Sequence, residues 1–221
     1  MIKKRSARVT LLACASVVSL GLLAGASPAA AKTVTKTATF SQCLNTAVAI
    51  PDANGTTGAS TAVTANVPVS VPKFKKKPQD GVVTAFNSAG VRITHTDVGD
   101  LQLFLISPGG KLVNLSSFND DSSNFSSDGY GSGAADCTGS LVTFGDAFTT
   151  SIRTPGNTGA SQPITGNFKP EQPLSTFVGG PARGNWGLVV LDGADVDIGS
   201  LNAVSLNFTY QYKALKKKKK K

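Results

Sequence analysis

A side-chain period of two runs through the clearest stretches of this chain, and a backbone that sends alternate side chains to opposite faces is a β-strand. In GVRITH, Val91, Ile93 and His95 share one face. In LQLFLI, Leu101, Leu103 and Leu105 stand opposite Gln102, Phe104 and Ile106, so this strand is expected to be buried on both faces. Trp186, Leu188 and Val190 alternate in NWGLVVLD, and Val204, Leu206, Phe208, Tyr210 and Tyr212 alternate with Ser205, Asn207, Thr209 and Gln211. The last pattern is that of a half-buried antiparallel strand. The long-chain helix formers are scarce, with Glu171 the one glutamate and Met1 the one methionine, while Ser, Thr, Gly and Val are abundant. Strands spaced by turns, with no helical segment between them, predict an all-β fold, a β-sandwich of jelly-roll type.

The turns carry their own signals. Ser107-Pro108-Gly109-Gly110 predicts a type II turn, with proline presetting φ at the second position and glycine tolerating positive φ at the third. Upstream, residues 32–81 read as N-terminal strands and a linker leading into the sandwich, and the prolines of VTANVPVSVP suit an edge strand. The cluster Lys73 to Lys77, KFKKK, falls where that strand ends. It reads as a solvated turn or edge protection, with an anion site as the alternative. Residues 116–140 are nearly all turn formers and predict a long exposed excursion. LVTFGDAFTTSI then resumes strand-like alternation, and Phe168, Leu174 and Phe177 are expected to plug one end of the sandwich.

Residues 1–31 have a charged start (Lys3, Lys4, Arg5, Arg8), an apolar middle and an Ala-Ala-Ala ending, the pattern of a secretory signal peptide cut after Ala31. The remaining chain is therefore expected to be secreted, as one sandwich domain over 82–212 with its N-terminal strands. No stretch beyond Ala31 is long and apolar enough to span a bilayer as a helix. Export leaves two cysteines, Cys43 and Cys137, and an oxidising compartment predicts one disulfide between them, two free thiols being the alternative.

The formal net charge of +9 is unevenly distributed, because four of the 22 basic residues lie in the signal segment and seven in the last nine residues. Residues 32–212 keep 11 basic groups against 13 acidic ones. The basic run Lys213, Lys216, Lys217, Lys218, Lys219, Lys220 and Lys221 makes 213–221 a compositionally disordered polylysine tail. Such a tail would hold anionic surfaces, an anionic cell-surface polymer among them, without sequence preference and with steep salt dependence. No aromatic residues are interleaved with it, so specific nucleic-acid recognition is not expected.

His95, the single histidine, lies close to Asp97 and Asp100, which raises the question of a Ser-His-Asp triad. No Gly-x-Ser-x-Gly elbow occurs, and His95 sits on an alternating strand among β-branched neighbours. It therefore reads as a satisfied sheet residue, and no catalytic residue is assigned. Calcium is the stronger chemical reading, since the ion takes six to eight hard oxygens. DGADVDIG offers Asp192, Asp195 and Asp197, GDL offers Asp100, FGDAF offers Asp146, and the excursion offers Asp120, Asp121 and Asp128. The alternative is that each aspartate caps a turn.

These residues also carry a family pattern. His95-Thr96, Gly99-Asp100-Leu101, Ser107-Pro108-Gly109, Pro170 with Leu174-Ser175 and Phe177, Gly184 with Trp186 and Leu188, and Asp192 followed by Gly199 and Leu201 occur in that order. The chain over about 82–212 thereby resembles the P domain, or P/Homo B domain, of subtilisin-like proprotein convertases. The resemblance implies a galactose-binding-like jelly roll that packs on a subtilisin catalytic domain and supports its folding, stability and calcium dependence. It implies a subtilisin-like protease partner, here acting in trans. The family's serine endopeptidase residues have no match in this chain.

Overall fold

The computed structural model describes residues 31–53, 61–119, 129–133, 138–153 and 163–215. Ten strands follow one another: β1 (Ala31–Ile50), β2 (Thr61–Val69), β3 (Val82–His95), β4 (Leu101–Ile106), β5 (Leu112–Ser117), β6 (Gly129–Tyr130), β7 (Val142–Phe144), β8 (Gly166–Phe168), β9 (Gly184–Asp192) and β10 (Gly199–Leu215). Two short 3-10 turns, Val98–Asp100 and Leu174–Phe177, are the only helical pieces among the described residues. The strands form a six-stranded sheet, β1-β10-β3-β7-β8 with β6 also on β3, and a four-stranded sheet, β2-β9-β4-β5. All pairings are antiparallel except β7 with β8. The fold is the all-β jelly-roll sandwich the alternation predicts.

The inner faces meet in one core. Val91, Phe86, Val204, Leu206 and Phe208 from the larger sheet face Leu101, Leu103, Leu105, Trp186, Leu188 and Val190 from the smaller. Phe86 lies at the middle of an aromatic cluster, with ring centroids 5.2 Å from Phe177, 5.4 Å from Trp186 and 5.4 Å from Phe208. The fully buried Trp186 keeps its indole N–H satisfied by donating to the Ala182 carbonyl at 3.0 Å. Phe168, Leu174 and Phe177 are buried; Phe177 packs edge-on to Trp186 at 5.1 Å, while Phe168 lies in β8 beside Phe144.

Four local readings are corrected. Residues Gln102, Phe104 and Ile106 of β4 are only half-buried, because among the described residues no layer covers the outer face of the smaller sheet. The 107–110 turn is not type II, since Gly110 (φ +78°) and not Gly109 takes the left-handed position. Gly110 N donates to the Ser107 carbonyl and Ser107 N to that of Lys111, both at 2.9 Å, which is the three-residue hairpin loop whose twist suits its flanking strands. Strand alternation after Leu141 lasts only through Phe144; from Gly145 the chain turns, and Phe148 N donates to the Gly145 carbonyl. The excursion is not wholly exposed either: Gly129 and Tyr130 pair with Thr94 and Ile93, and the fully buried Tyr130 hydroxyl bonds Ser116 Oγ at 2.8 Å. A phenol ring gains more by entering the core than a turn-rich segment loses by following it.

Register places chemistry at the two ends. β2, β3, β9, β10 and β1 each have one terminus at the end marked by His95, Asp192, Gly199, Ile50 and Thr61, and the other at the end marked by Val82, Gly184, Leu215, Ala31 and Val69. The first end carries Asp52, Asp97, Asp100, Asp192, Asp195 and Asp197; the second carries Lys32, Arg183, Lys213 and the Lys73–Lys77 turn. At about 3.3 Å per residue the two ends lie roughly 40 Å apart along a strand of this length. The expected signal segment and Lys216 to Lys221 lie outside the described residues, apart from Ala31, which opens β1 opposite Leu215.

Candidate metal centre

At the acidic end two connections meet, the tight β3–β4 turn and the β9–β10 loop. The β3–β4 turn is short because Asp97 Oδ1 accepts the Gly99 N–H at 2.7 Å and starts a single 3-10 turn over Val98–Asp100. The β9–β10 loop is tied to it by Gly193 N donating to the Asp100 carbonyl at 2.9 Å and Thr96 Oγ1 donating to Asp197 Oδ1 at 2.6 Å. Together these bonds bring one carboxylate oxygen from each of Asp97, Asp100 and Asp197 within 4.8 Å of one another, all three residues half-buried.

Behind them stands the one histidine. His95 Nε2 lies 3.2 Å from Asp192 Oδ2, both side chains fully buried, and the N–H there donates to the carboxylate. Nδ1 rests against the Asp97 backbone, 3.1 Å from its N–H and in contact with its carbonyl oxygen. A Cβ at position 199 would stand 2.3 Å from His95 Cδ2, so glycine there lets β10 close over the imidazole. Both ring nitrogens thus face structural partners, as the strand reading requires, and no hydroxyl or thiol is bonded to the ring among the described residues.

Electrostatics at this end are those of crowded carboxylates. Partial burial, then the charges of Asp97, Asp197 and Asp192, push the Asp100 carboxyl up to about 6, against a smaller lowering by His95. Burial likewise raises Asp192, opposed by the Ala194 N–H and by His95. Asp52, on the loop after β1, adds a further group: Val196 N donates to its Oδ2 at 3.1 Å, while its Oδ1 is buried and accepts no hydrogen bond. Hard oxygens, excess negative charge and an orphaned carboxylate oxygen nearby are a donor set suited to a hard divalent cation such as Ca²⁺.

Of the eight aspartates the sequence nominates as ligands, Asp100 and Asp197 converge, Asp192 lies directly behind them bound to His95, and Asp195 is exposed on the same loop. Asp146 is elsewhere: its Oδ1 accepts from Leu174 N at 2.7 Å and its Oδ2 from Ser175 N at 2.9 Å, opening the second 3-10 turn. Asp97 and Asp52 were not nominated; Asp97 had a signal, three residues before Asp100 in one turn, and Asp52 had none. Asp120, Asp121 and Asp128 lie outside the described residues. So does Cys137, and with it the expected Cys43–Cys137 pairing; Cys43 stands in β1, where it shares a small cavity with Arg92 and Gly139.

No family model and no curated protein matches the chain. Among solved structures it is similar to the serine protease of Aeromonas sobria, at 15% identity and a TM-score of 0.40 over 81% of this chain and 27% of that one. It is similar, also at 15% identity, to that protease in complex with the chaperone, at a TM-score of 0.39 over 82% of this chain and 27% of that one. The chain spans about a quarter of the length of the chains it matches.

Proposed function

We propose that this chain is a secreted, non-catalytic β-sandwich module of the P/Homo B type, which binds and stabilises a subtilisin-like serine protease and is itself locked by calcium at its acidic end. The observation that carries this is where the family-like residues meet. His95-Thr96, Gly99-Asp100-Leu101, Asp192 and Gly199 are separated by up to a hundred residues, yet they form one bonded apex through the His95–Asp192, Thr96–Asp197 and Gly193–Asp100 contacts. Ser107-Pro108-Gly109 and Gly184 meet in the same way, since a Cβ at 184 would stand 2.7 Å from Pro108 Cβ. These members of the pattern act in architecture, as residues of a supporting module would.

In this reading Asp97, Asp100 and Asp197 hold Ca²⁺ by carboxylate oxygens, with loop carbonyls and water completing the shell; the ion neutralises their repulsion and ties the β3–β4 turn to the β9–β10 loop. The Cys43–Cys137 disulfide belongs to the same proposal. It is supported by Cys43 being disulfide-bonded and by Arg92, beside Cys43, donating to the carbonyl of Thr138, the residue after Cys137. The test is to incubate the purified module with a subtilisin-like protease encoded by the same organism and follow the protease's thermal inactivation in calcium. A several-fold longer half-life is expected; an unchanged half-life with every such protease would overturn the partner assignment.

A further inference from the structure

At the opposite end the KFKKK run makes a turn that its residues disfavour. Phe74 and Lys77 exchange both backbone hydrogen bonds at 2.9 Å, leaving Lys75 and Lys76 as a two-residue hairpin loop. Both have positive φ, 49° and 67°. Two successive left-handed residues define the turn type that Asn-Gly or Gly-Gly fills readily, and lysine, with a Cβ, is strained there. Strain of this kind persists where the surrounding structure over-determines it and clusters at binding sites, and what these two exposed residues have in common is an ammonium group.

The hairpin does not stand alone. Gln79 donates to the Pro72 carbonyl at 2.7 Å and to the Lys213 carbonyl at 2.9 Å, and accepts the Lys213 N–H at 2.9 Å. One side chain therefore fastens the base of the hairpin to the residue from which the basic C-terminal run begins. Arg183 joins them, donating Nε to the Gln79 carbonyl at 3.0 Å. Among the described residues the ion pairs are His95–Asp192, Arg153–Glu171 and Arg183–Asp80, so Lys73, Lys75, Lys76, Lys77 and Lys213 have no carboxylate in salt-bridge range. Beside them opens a cleft of about 420 Å³ between Asp80–Val82 and Gln211–Lys213, with Gln79 and Thr33 in its wall and the Asp80 carboxylate paired with Arg183.

We infer that the Lys73–Lys77 hairpin and Lys213 form one composite site for a linear, phosphate-bearing polyanion. Lysine ammonium groups are compact point charges that bind phosphate oxygens without the planar bidentate geometry of arginine, and a run of them suits a run of closely spaced phosphates. The cleft abuts Lys213 and Gln79, the residue that ties Lys213 to the hairpin, and an open cleft admits a chain, whereas a flat bilayer touches only its rim. Phe74 is half-buried with Lys75 Nζ 5.5 Å over its ring, which leaves no aromatic wedge to enter acyl chains. This inference is independent of the calcium and protease assignments.

The test titrates the exported chain with long-chain inorganic polyphosphate and, in parallel, with phosphatidylglycerol vesicles, across a salt series. The variants are Lys75→Asn with Lys76→Gly, which relieves the turn, and Lys73→Gln with Lys77→Gln, which does not. Polyphosphate is expected to bind, with each double variant weakened by about tenfold and its salt slope reduced by roughly 1.5, the share of two lost phosphate contacts. The Asn-Gly variant is also expected to unfold a few degrees higher than the parent, so that stability and binding move in opposite directions. Unchanged affinity in both variants would assign all binding to the tail and overturn the composite site. So would absence of polyphosphate binding, or binding of vesicles in its place.

Discussion

Asp100 is the residue whose environment makes the sharpest demand on the fold. With its carboxyl raised to about 6, the folded state holds a proton there more tightly than the unfolded chain, whose carboxyl titrates near 3.8. The stabilisation is full below about 4 and is lost as pH rises through about 6. In chelator, Asp100→Asn is therefore expected to match the parent near pH 4 and to unfold a few degrees above it near pH 7, read as the difference in thermal midpoint against pH. A constant difference would mean that Asp100 is not crowded by its neighbours. His95 belongs to the same scale. Its strand position was legible because a β-strand fixes a side chain's face by parity, but its pairing with Asp192, 97 residues on, was not, because no local pattern encodes it.

Among the elements, what was legible was whatever the period of two controls. The core faces of β4, β9 and β10 follow directly from alternation, and Pro68 sits, as expected, on the edge strand β2. What escaped is where the period slips. In β3 the inward residues include Val83, Phe86, Ala89 and Val91, because register shifts opposite β10 leave Thr84 and Asn87 with no opposite residue in the ladder. Such bulges add a residue to one strand without a residue type that announces them. Asp146 gave a like ambiguity, since an aspartate in a Gly-Asp turn reads equally as ligand or cap. Its two bonds to Leu174 N and Ser175 N make it a cap here. Asp146→Asn leaves one of these two N–H groups facing an amide NH₂ and should lower stability by about 1 kcal/mol, leaving any calcium response intact. Loss of that response in Asp146→Asn would place the residue in the metal centre.

For the whole molecule the governing feature is polarity, a sandwich with clustered carboxylates at one end and a surplus of lysines at the other, where the Asp80 carboxylate is paired with Arg183. Composition hid this, because a net charge of +9 averages over both ends and over segments at either terminus. The two basic runs were each visible in the sequence; their union through Gln79 and Lys213, residues 134 apart, depends on strand order. The same holds for the acidic end, where the aspartates were legible as residues and their convergence only as topology. The central claim is that this convergence is a calcium site. Its most direct test is the thermal midpoint of residues 32–221, kept oxidised, as calcium is titrated against excess chelator. The account predicts a saturable rise that grows with the logarithm of calcium concentration and disappears in Asp100→Asn and Asp197→Asn. A midpoint indifferent to calcium, or a rise that survives both substitutions, would contradict it.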